Sequence, residues 1–119
     1  MVLVDTSVWV THFREGHRDL EKLLLDGDVA SHPFIVGELA CGNLKARNEI
    51  ISLLRSLHMA PVLDSYEFLL FIERHKLMGL GIGFVDVHLL ASARMADLSL
   101  WTSDRRLRSA AAKLQIAYP

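Results

Sequence analysis

Asp5, Glu38, Asp86 and Asp104 stand where an ordinary solvated carboxylate is not expected. Asp5 and Asp104 each come just after an apolar run suited to a buried strand, Val2-Leu3-Val4 and Leu98-Ser99-Leu100-Trp101-Thr102. In open α/β sheets, ligands bind in the crevice outside the carboxyl ends of the strands, where both would lie. Asp86 is followed at helical spacing by Leu89, Leu90 and Ala93, so its carboxylate falls on an apolar stripe. Glu38 follows Phe34 and Ile35 and precedes Cys41, on a helix face expected to lean inward. An isolated ionised carboxylate on such a face is costly unless it is paired or bound to metal. Too few basic residues flank these positions to pair all four. A divalent cation resolves the conflict, because Mg²⁺ takes oxygen ligands at about 2.0–2.1 Å. Each acid also has a plainer reading: a strand-end Asp caps the next helix, and a helical Glu is usually solvated.

The elements that would position these acids follow from hydrophobic period and punctuation. Strands are expected at Val2-Leu3-Val4, at Val29-Ala30, at Pro61-Val62-Leu63, over Leu98 to Thr102, and at Ile116-Ala117-Tyr118 as a final edge. Helices are expected around Val8-Trp9-Val10, capped by Thr6 or Ser7, and around Leu20, Leu23 and Leu24, stopping before the Asp26-Gly27-Asp28 turn. Another begins at Ser31-His32-Pro33, with proline tolerated in the first turn. Residues 44–58 carry Ile50, Ile51, Leu54 and Leu57 at helical spacing. Asp64, with Glu67 three residues on, forms a capping box for the helix holding Phe68, Phe71 and Ile72. The Gly79-Leu80-Gly81-Ile82-Gly83 loop leads into the Asp86 helix, and a last helix spans Arg105 to Leu114. Strands separated by helices indicate an α/β fold: a central, mainly parallel five-stranded sheet flanked by helices.

With 119 residues and no repeat, low-complexity tract or linker, the chain is expected to form a single domain over residues 1–119. Hydrophobic residues make up 51% and charged residues 23%, which excludes a disordered chain. The apolar run from Phe68 to Ile72 is too short to span a bilayer, and Asp5 interrupts the first apolar stretch. No membrane association is expected. A single cysteine, Cys41, excludes an internal disulfide and suits the cytoplasm; its apolar surroundings favour a buried thiol over a nucleophile. Thirteen basic against fourteen acidic residues give a net charge of −1, so any binding of nucleic acid needs a local patch or metal ions.

Val4-Asp5-Thr6-Ser7, the Gly37-Glu38-Leu39 helix, the Gly83-x-x-Asp86-x-x-Leu89-Leu90-Ala91-Ser92-Ala93 helix and the Leu100-Trp101-Thr102-Ser103-Asp104 strand end, taken together, resemble the PIN-domain ribonucleases. The likeness is closest to the VapC-type toxins of type II toxin–antitoxin pairs, covers nearly the whole chain and keeps the motifs in order. It implies a PIN-like α/β/α sandwich with Asp5, Glu38, Asp86 and Asp104 as a catalytic, metal-binding quartet. It also implies that Thr102 orients Asp104 or a bound water, and that Thr6 occupies the position after the first Asp. Ser7 and Ser103 fit capping as well as any catalytic part. The chemistry so implied uses one or two Mg²⁺ (or Mn²⁺) ions, about 3.5–4 Å apart if two, to bind the scissile phosphate and lower the pKa of a bound water. Products would carry a 5′-phosphate and a 3′-hydroxyl. The implied substrate is structured RNA, a tRNA or rRNA loop, and the implied partner is a VapB-type antitoxin.

Other signals point elsewhere. His12 and His17 share no helix face, and His88 points away from Asp86 two residues before it. Gly79, Gly81 and Gly83 follow a helix and lack a Gly-Lys-Ser/Thr sequel, so they form a turn positioning the Asp86 helix and not a phosphate loop. Asp5-Thr6-Ser7 lacks the second Asp of aspartyl phosphatases. Arg105, Arg106 and Arg108 after Asp104, and Lys45 and Arg47 after the Glu38 helix, fit either a solvated surface or a basic rim for RNA phosphates. Trp9 and Trp101 fit core packing better than base stacking. The 44–58 and 64–78 helices carry apolar surface enough for a homodimer interface or an antitoxin groove. The competing function is a non-catalytic PIN-like module that binds RNA or protein; a small metal-dependent phosphatase is a third. Four carboxylates kept together argue for the nuclease.

Overall fold

A computed structural model describes all 119 residues. In chain order the elements are β1 (Val2–Val4), α1 (Thr6–Glu15), α2 (Arg18–Leu25), β2 (Val29–Ser31), α3 (Pro33–Ala40), α4 (Arg47–Ser56), β3 (His58–Met59), α5 (Ser65–His75), α6 (Phe84–Met95), β4 (Ser99–Trp101) and α7 (Arg105–Lys113). The four strands form one sheet of order β3-β2-β1-β4, and every pair is parallel. Helices flank the sheet, as the alternation of apolar runs and helical periods predicts.

β1 lies between two partners, so all three of its residues are buried. This is why it reads as an unbroken apolar run and not as an alternating one. The chain leaves β1 toward β2 on one side and returns as β4 on the other. That reversal opens a crevice at the carboxyl ends of β1 and β4, the place where parallel sheets hold ligands. The Asp5 amide bonds the Trp101 carbonyl at 2.9 Å there, which fixes the two strand ends side by side.

Two strand expectations need correction. The third strand is His58–Met59, not Pro61-Val62-Leu63. The Ala60 amide still bonds the Ser31 carbonyl, at 2.8 Å, but Pro61 has no N–H to donate and the ladder ends before it. The fifth strand is reduced to an isolated parallel bridge between Leu100 and Ala117, so the sheet is four-stranded. Only two hydrogen bonds, Leu100 N–H to the Ile116 carbonyl and Tyr118 N–H to the Leu100 carbonyl, join that segment to β4.

Trp9, Leu20, Ile35, Leu54, Leu89, Leu90 and Leu107 are fully buried and tie the helices to the sheet. Trp9 is core, as expected, whereas Trp101 is half-buried, its ring packed between His17 and Tyr118. Asp64 and Glu67 form the complete capping box at the start of α5. Cys41 is exposed, contrary to its apolar context, because α3 stops at Ala40 and leaves the thiol beyond the helix's inward face.

Candidate active site

Each of the four acids reaches the crevice from a different element. Asp5 ends β1 and caps α1, its Oδ1 accepting from the Thr6 amide at 2.8 Å. Its Oδ2 accepts from Ser7 Oγ at 2.9 Å and from Thr102 Oγ1 at 2.7 Å. With 6% of its surface exposed, Asp5 is the most enclosed of the quartet, and donors to the ionised form offset its dehydration. Asp104 follows β4 and caps α7 through Oδ1, which accepts from the Leu107 amide at 2.9 Å. Glu38, in the last turn of α3, accepts the Thr6 hydroxyl on Oε1 at 2.8 Å. Its side chain is exposed, since Ile35 and Leu39 take the buried face and leave Glu38 at the edge of the stripe.

Asp86 sits in the first turn of α6, half-buried, with Oδ2 accepting from the Gly83 amide at 3.3 Å. Leu89 and Leu90 on the same helix are fully buried. Each contributes roughly 1.5–3 kcal/mol of burial, which holds the helix in place against the carboxylate's preference for water. Burial pushes the Asp86 carboxyl above its ordinary pKa, the Gly83 bond opposes this, and the charges of Asp5, Asp104 and Glu38 push it further up. All three of the other acids are therefore close enough to repel it.

No basic side chain neutralises this charge. The one ion pair in the structure is Arg14 with Glu15, at 3.9 Å on the surface. Oδ1 of Asp86, Oδ2 of Asp104 and Oε2 of Glu38 make no hydrogen bond, because each acid spends its other oxygen on its own support. The donor set is thus hard, anionic and all-oxygen, which fits Mg²⁺ or Mn²⁺. No three of these groups are gathered into a ready-made cage. Mg²⁺ does not require one, since it keeps waters and binds through one or two carboxylates plus substrate phosphate.

The hydroxyls around the quartet carry more of the structure than their sequence signals suggest. Thr102 is buried and its Oγ1, besides donating to Asp5, accepts from the Asp104 amide at 3.0 Å. It therefore links the first and last acids of the chain, and orients Asp104 through the backbone. Ser7 Oγ accepts from the Ser103 amide at 3.1 Å while donating to Asp5. Ser103 takes part through that amide alone. A serine two residues after a strand-end Asp is indistinguishable from a capping residue in sequence, which hides this role.

The basic residues divide. A cleft of about 400 Å³ beside Asp104 is lined by Gly81, Arg105 and Arg106. A second, of about 490 Å³, runs from Thr6 and Glu38 past Arg14, Asn43 and Lys45 over Val10, Phe13 and Leu44. Arg47 does not line it; its Nη1 bonds the Gly42 carbonyl at 3.3 Å and fixes the turn after α3. Gly79 and Gly81 have φ of 71° and 76°, in the left-handed region that glycine adopts most readily. At Gly81 a β-carbon would also collide with the Arg106 guanidinium, so the glycine loop gives that side chain its place. His88 is stacked on Phe68, with ring centroids 3.8 Å apart, and burial lowers its pKa.

A parallel sheet with this reversal and this acidic crevice defines a PIN-type architecture. The chain belongs to the PIN domain family, which matches over residues 2–113. It is 42% identical over 118 residues to ribonuclease VapC32 of Mycobacterium tuberculosis (strain H37Rv), spanning 98% of this chain and 95% of that protein. Its backbone is similar to that of FitAcB from Neisseria gonorrhoeae, with a TM-score of 0.65 and 22% identity over 98% of this chain and 95% of that one. A toxin–antitoxin complex from Klebsiella pneumoniae gives a TM-score of 0.66 at 18% identity, over 87% of each chain. These two structures share the fold.

Proposed function

We propose that this chain is a VapC-type toxin: a Mg²⁺- or Mn²⁺-dependent endoribonuclease that cuts structured RNA, a tRNA or rRNA, and is neutralised by a VapB-type antitoxin. The observation that carries this reading is the convergence of Asp5, Glu38, Asp86 and Asp104 from four separate elements with no basic partner. The 42% identity to ribonuclease VapC32 supports it. The toxin role, the cytoplasmic location, the homodimer and the extent of one domain over residues 1–119 belong to the same proposal. No helix is long and apolar enough to cross a membrane.

Asp5, clamped by Thr6, Ser7 and Thr102, serves as the fixed point of the site. Asp86, Asp104 and Glu38 each keep one oxygen free of hydrogen bonds, and these oxygens would hold the cation directly or through its waters. When bound, a divalent cation supplies Lewis acidity for the phosphate and acidifies water, which removes any need for a histidine base. Arg106 and Arg105 on one side and Lys45 and Arg14 on the other hold flanking RNA phosphates. Hydrolysis by water leaves a 5′-phosphate and a 3′-hydroxyl.

The test is incubation of the purified protein with labelled tRNA and rRNA fragments in Mg²⁺ or Mn²⁺. EDTA and Asp5→Asn serve as controls, and the product ends are mapped. Cleavage is expected to stop with EDTA and to fall at least a hundredfold in Asp5→Asn. Cleavage that survives EDTA, or leaves a 2′,3′-cyclic phosphate, would sink the metal mechanism. Failure to cut any RNA would favour the binding module. Copurification with the product of a short adjacent gene, and inhibition by it, tests the antitoxin.

A further inference from the structure

His32 is fully buried and outside the carboxylate cluster, yet it touches the supports of two of its members. It is the N-cap of α3, the helix that carries Glu38, and its Nδ1 accepts from the Phe34 amide at 3.0 Å. Its Nε2 lies 3.0 Å from Ser92 Oγ, fully buried on α6, the helix that carries Asp86. The tautomer follows from the first bond. Nδ1 must offer a lone pair to an amide, so the neutral ring carries its proton on Nε2 and donates it to Ser92. The ring is thereby committed at both ends.

We infer that His32 is a positioning residue: its bond to Ser92 locks the Glu38 helix against the Asp86 helix and so sets how those two carboxylates face one cation. This rests on the reading of the cluster as a cation site. The link fits that task because it is dry, short and joins the two helices whose acids lack any direct hydrogen bond to each other. Asp5 and Asp104 have their own connection through Thr102; Glu38 and Asp86 are connected through His32 and Ser92. The Phe34 ring, edge-on to His88 with centroids 4.9 Å apart and 6.3 Å from the Phe84 ring, packs α3 against α6 across the same seam.

Two variants separate the tie from the cap. Ser92→Ala removes the tie and leaves the imidazole to cap α3. His32→Asn keeps a good capping side chain but is too short to reach Ser92. Mn²⁺ affinity of the RNA-free protein, read by electron paramagnetic resonance titration, is expected to fall about tenfold in both, the size usual when a support of a metal ligand is removed. kcat should fall with it while KM for RNA stays within about twofold. A merely structural residue would lower the melting temperature and leave Mn²⁺ affinity unchanged; that result in both folded variants overturns the inference. A parent protein that binds no Mn²⁺ overturns the cation site itself, and the inference with it.

Discussion

Asp86 is held against its own preference. Its folded pKa is raised, by burial first and then by Asp5, Asp104 and Glu38, so between the unfolded and folded values the native state binds more protons than the unfolded chain. Stability therefore falls as pH rises through that window, and the charged form weakens the fold at neutral pH. Asp86→Asn removes the charge and leaves a carbonyl for the Gly83 amide. It should melt a few degrees higher than the parent at pH 7 without divalent ions. The gain should vanish as pH falls toward about 3.9, the ordinary carboxylate value. Millimolar Mg²⁺ should narrow the gap from the other side by stabilising the parent. A thermal melt at the two pH values checks the sign, and an Asp86→Asn protein less stable than the parent at pH 7 would contradict it. Asp86 was the most legible of the acids, because an apolar stripe around a carboxylate is visible in sequence. Glu38 was the least, since its helix buries Ile35 and Leu39 and leaves it exposed beside Thr6. The supporting hydroxyl of Ser7 was not legible, because its partners Asp5 and Ser103 come from strands that meet only in the fold.

At the scale of elements, capping chemistry and helical period translated well: α5 begins on the Asp64–Glu67 box, and α3 on proline. The edges of the sheet did not, because a strand's end depends on the donors its neighbour offers, and Pro61 offers none. His32 as the cap of α3 was equally hidden, since histidine is no standard cap and its worth lies in Ser92, sixty residues away. Burial, helped by the charge of His88, lowers its pKa to about 4 from 6.5. Below about 6.5 the unfolded chain takes up a proton that the native state refuses, so stability is lost as pH falls toward 4, by up to about 1.4 kcal/mol per pH unit. The melting temperature of the parent should drop more steeply from pH 6.5 to 4.5 than that of His32→Asn, which starts lower and has no such proton to take up. The glycine loop gives a second test at this scale. Gly79→Ala and Gly81→Ala both force an L residue to positive φ, at about 1–2 kcal/mol each. Only Gly81→Ala displaces Arg106. Both should therefore lose similar stability, but Gly81→Ala alone should weaken RNA binding and flatten its dependence on salt, as Arg106→Ala should. Equal RNA affinity in the two glycine variants would remove Arg106 from the phosphate rim.

For the whole molecule, the reversal of strand order at β1 accounts for where the acids meet, and the apolar surface accounts for what else must happen. The sequence indicates that the 44–58 and 64–78 helices carry more apolar area than a small fold can hide, without showing where it would emerge. In the structure Val62, Leu69 and Phe84 are 44%, 61% and 64% exposed and line one cleft of about 660 Å³ with Phe34, Phe68 and His88. A patch spanning the starts of α3, α5 and α6 in this way is a liability in water unless something covers it. A second copy is the economical cover, because a two-fold axis makes the same patch complementary to itself. Sedimentation equilibrium of the free protein should give a dimer. Leu69→Lys with Phe84→Lys places like charges across that axis and should give a folded monomer with unchanged far-ultraviolet circular dichroism. The parent sedimenting as a monomer, or the double variant remaining a dimer, would mean that the patch is not the seam. Because Phe84 lies two residues before Asp86 in the first turn of α6, and Phe34 about one turn before Glu38 on α3, dimerisation would also brace the first turns of the helices that carry those acids. The monomeric variant should accordingly bind Mn²⁺ more weakly than the dimer even though no substituted side chain belongs to the acidic cluster.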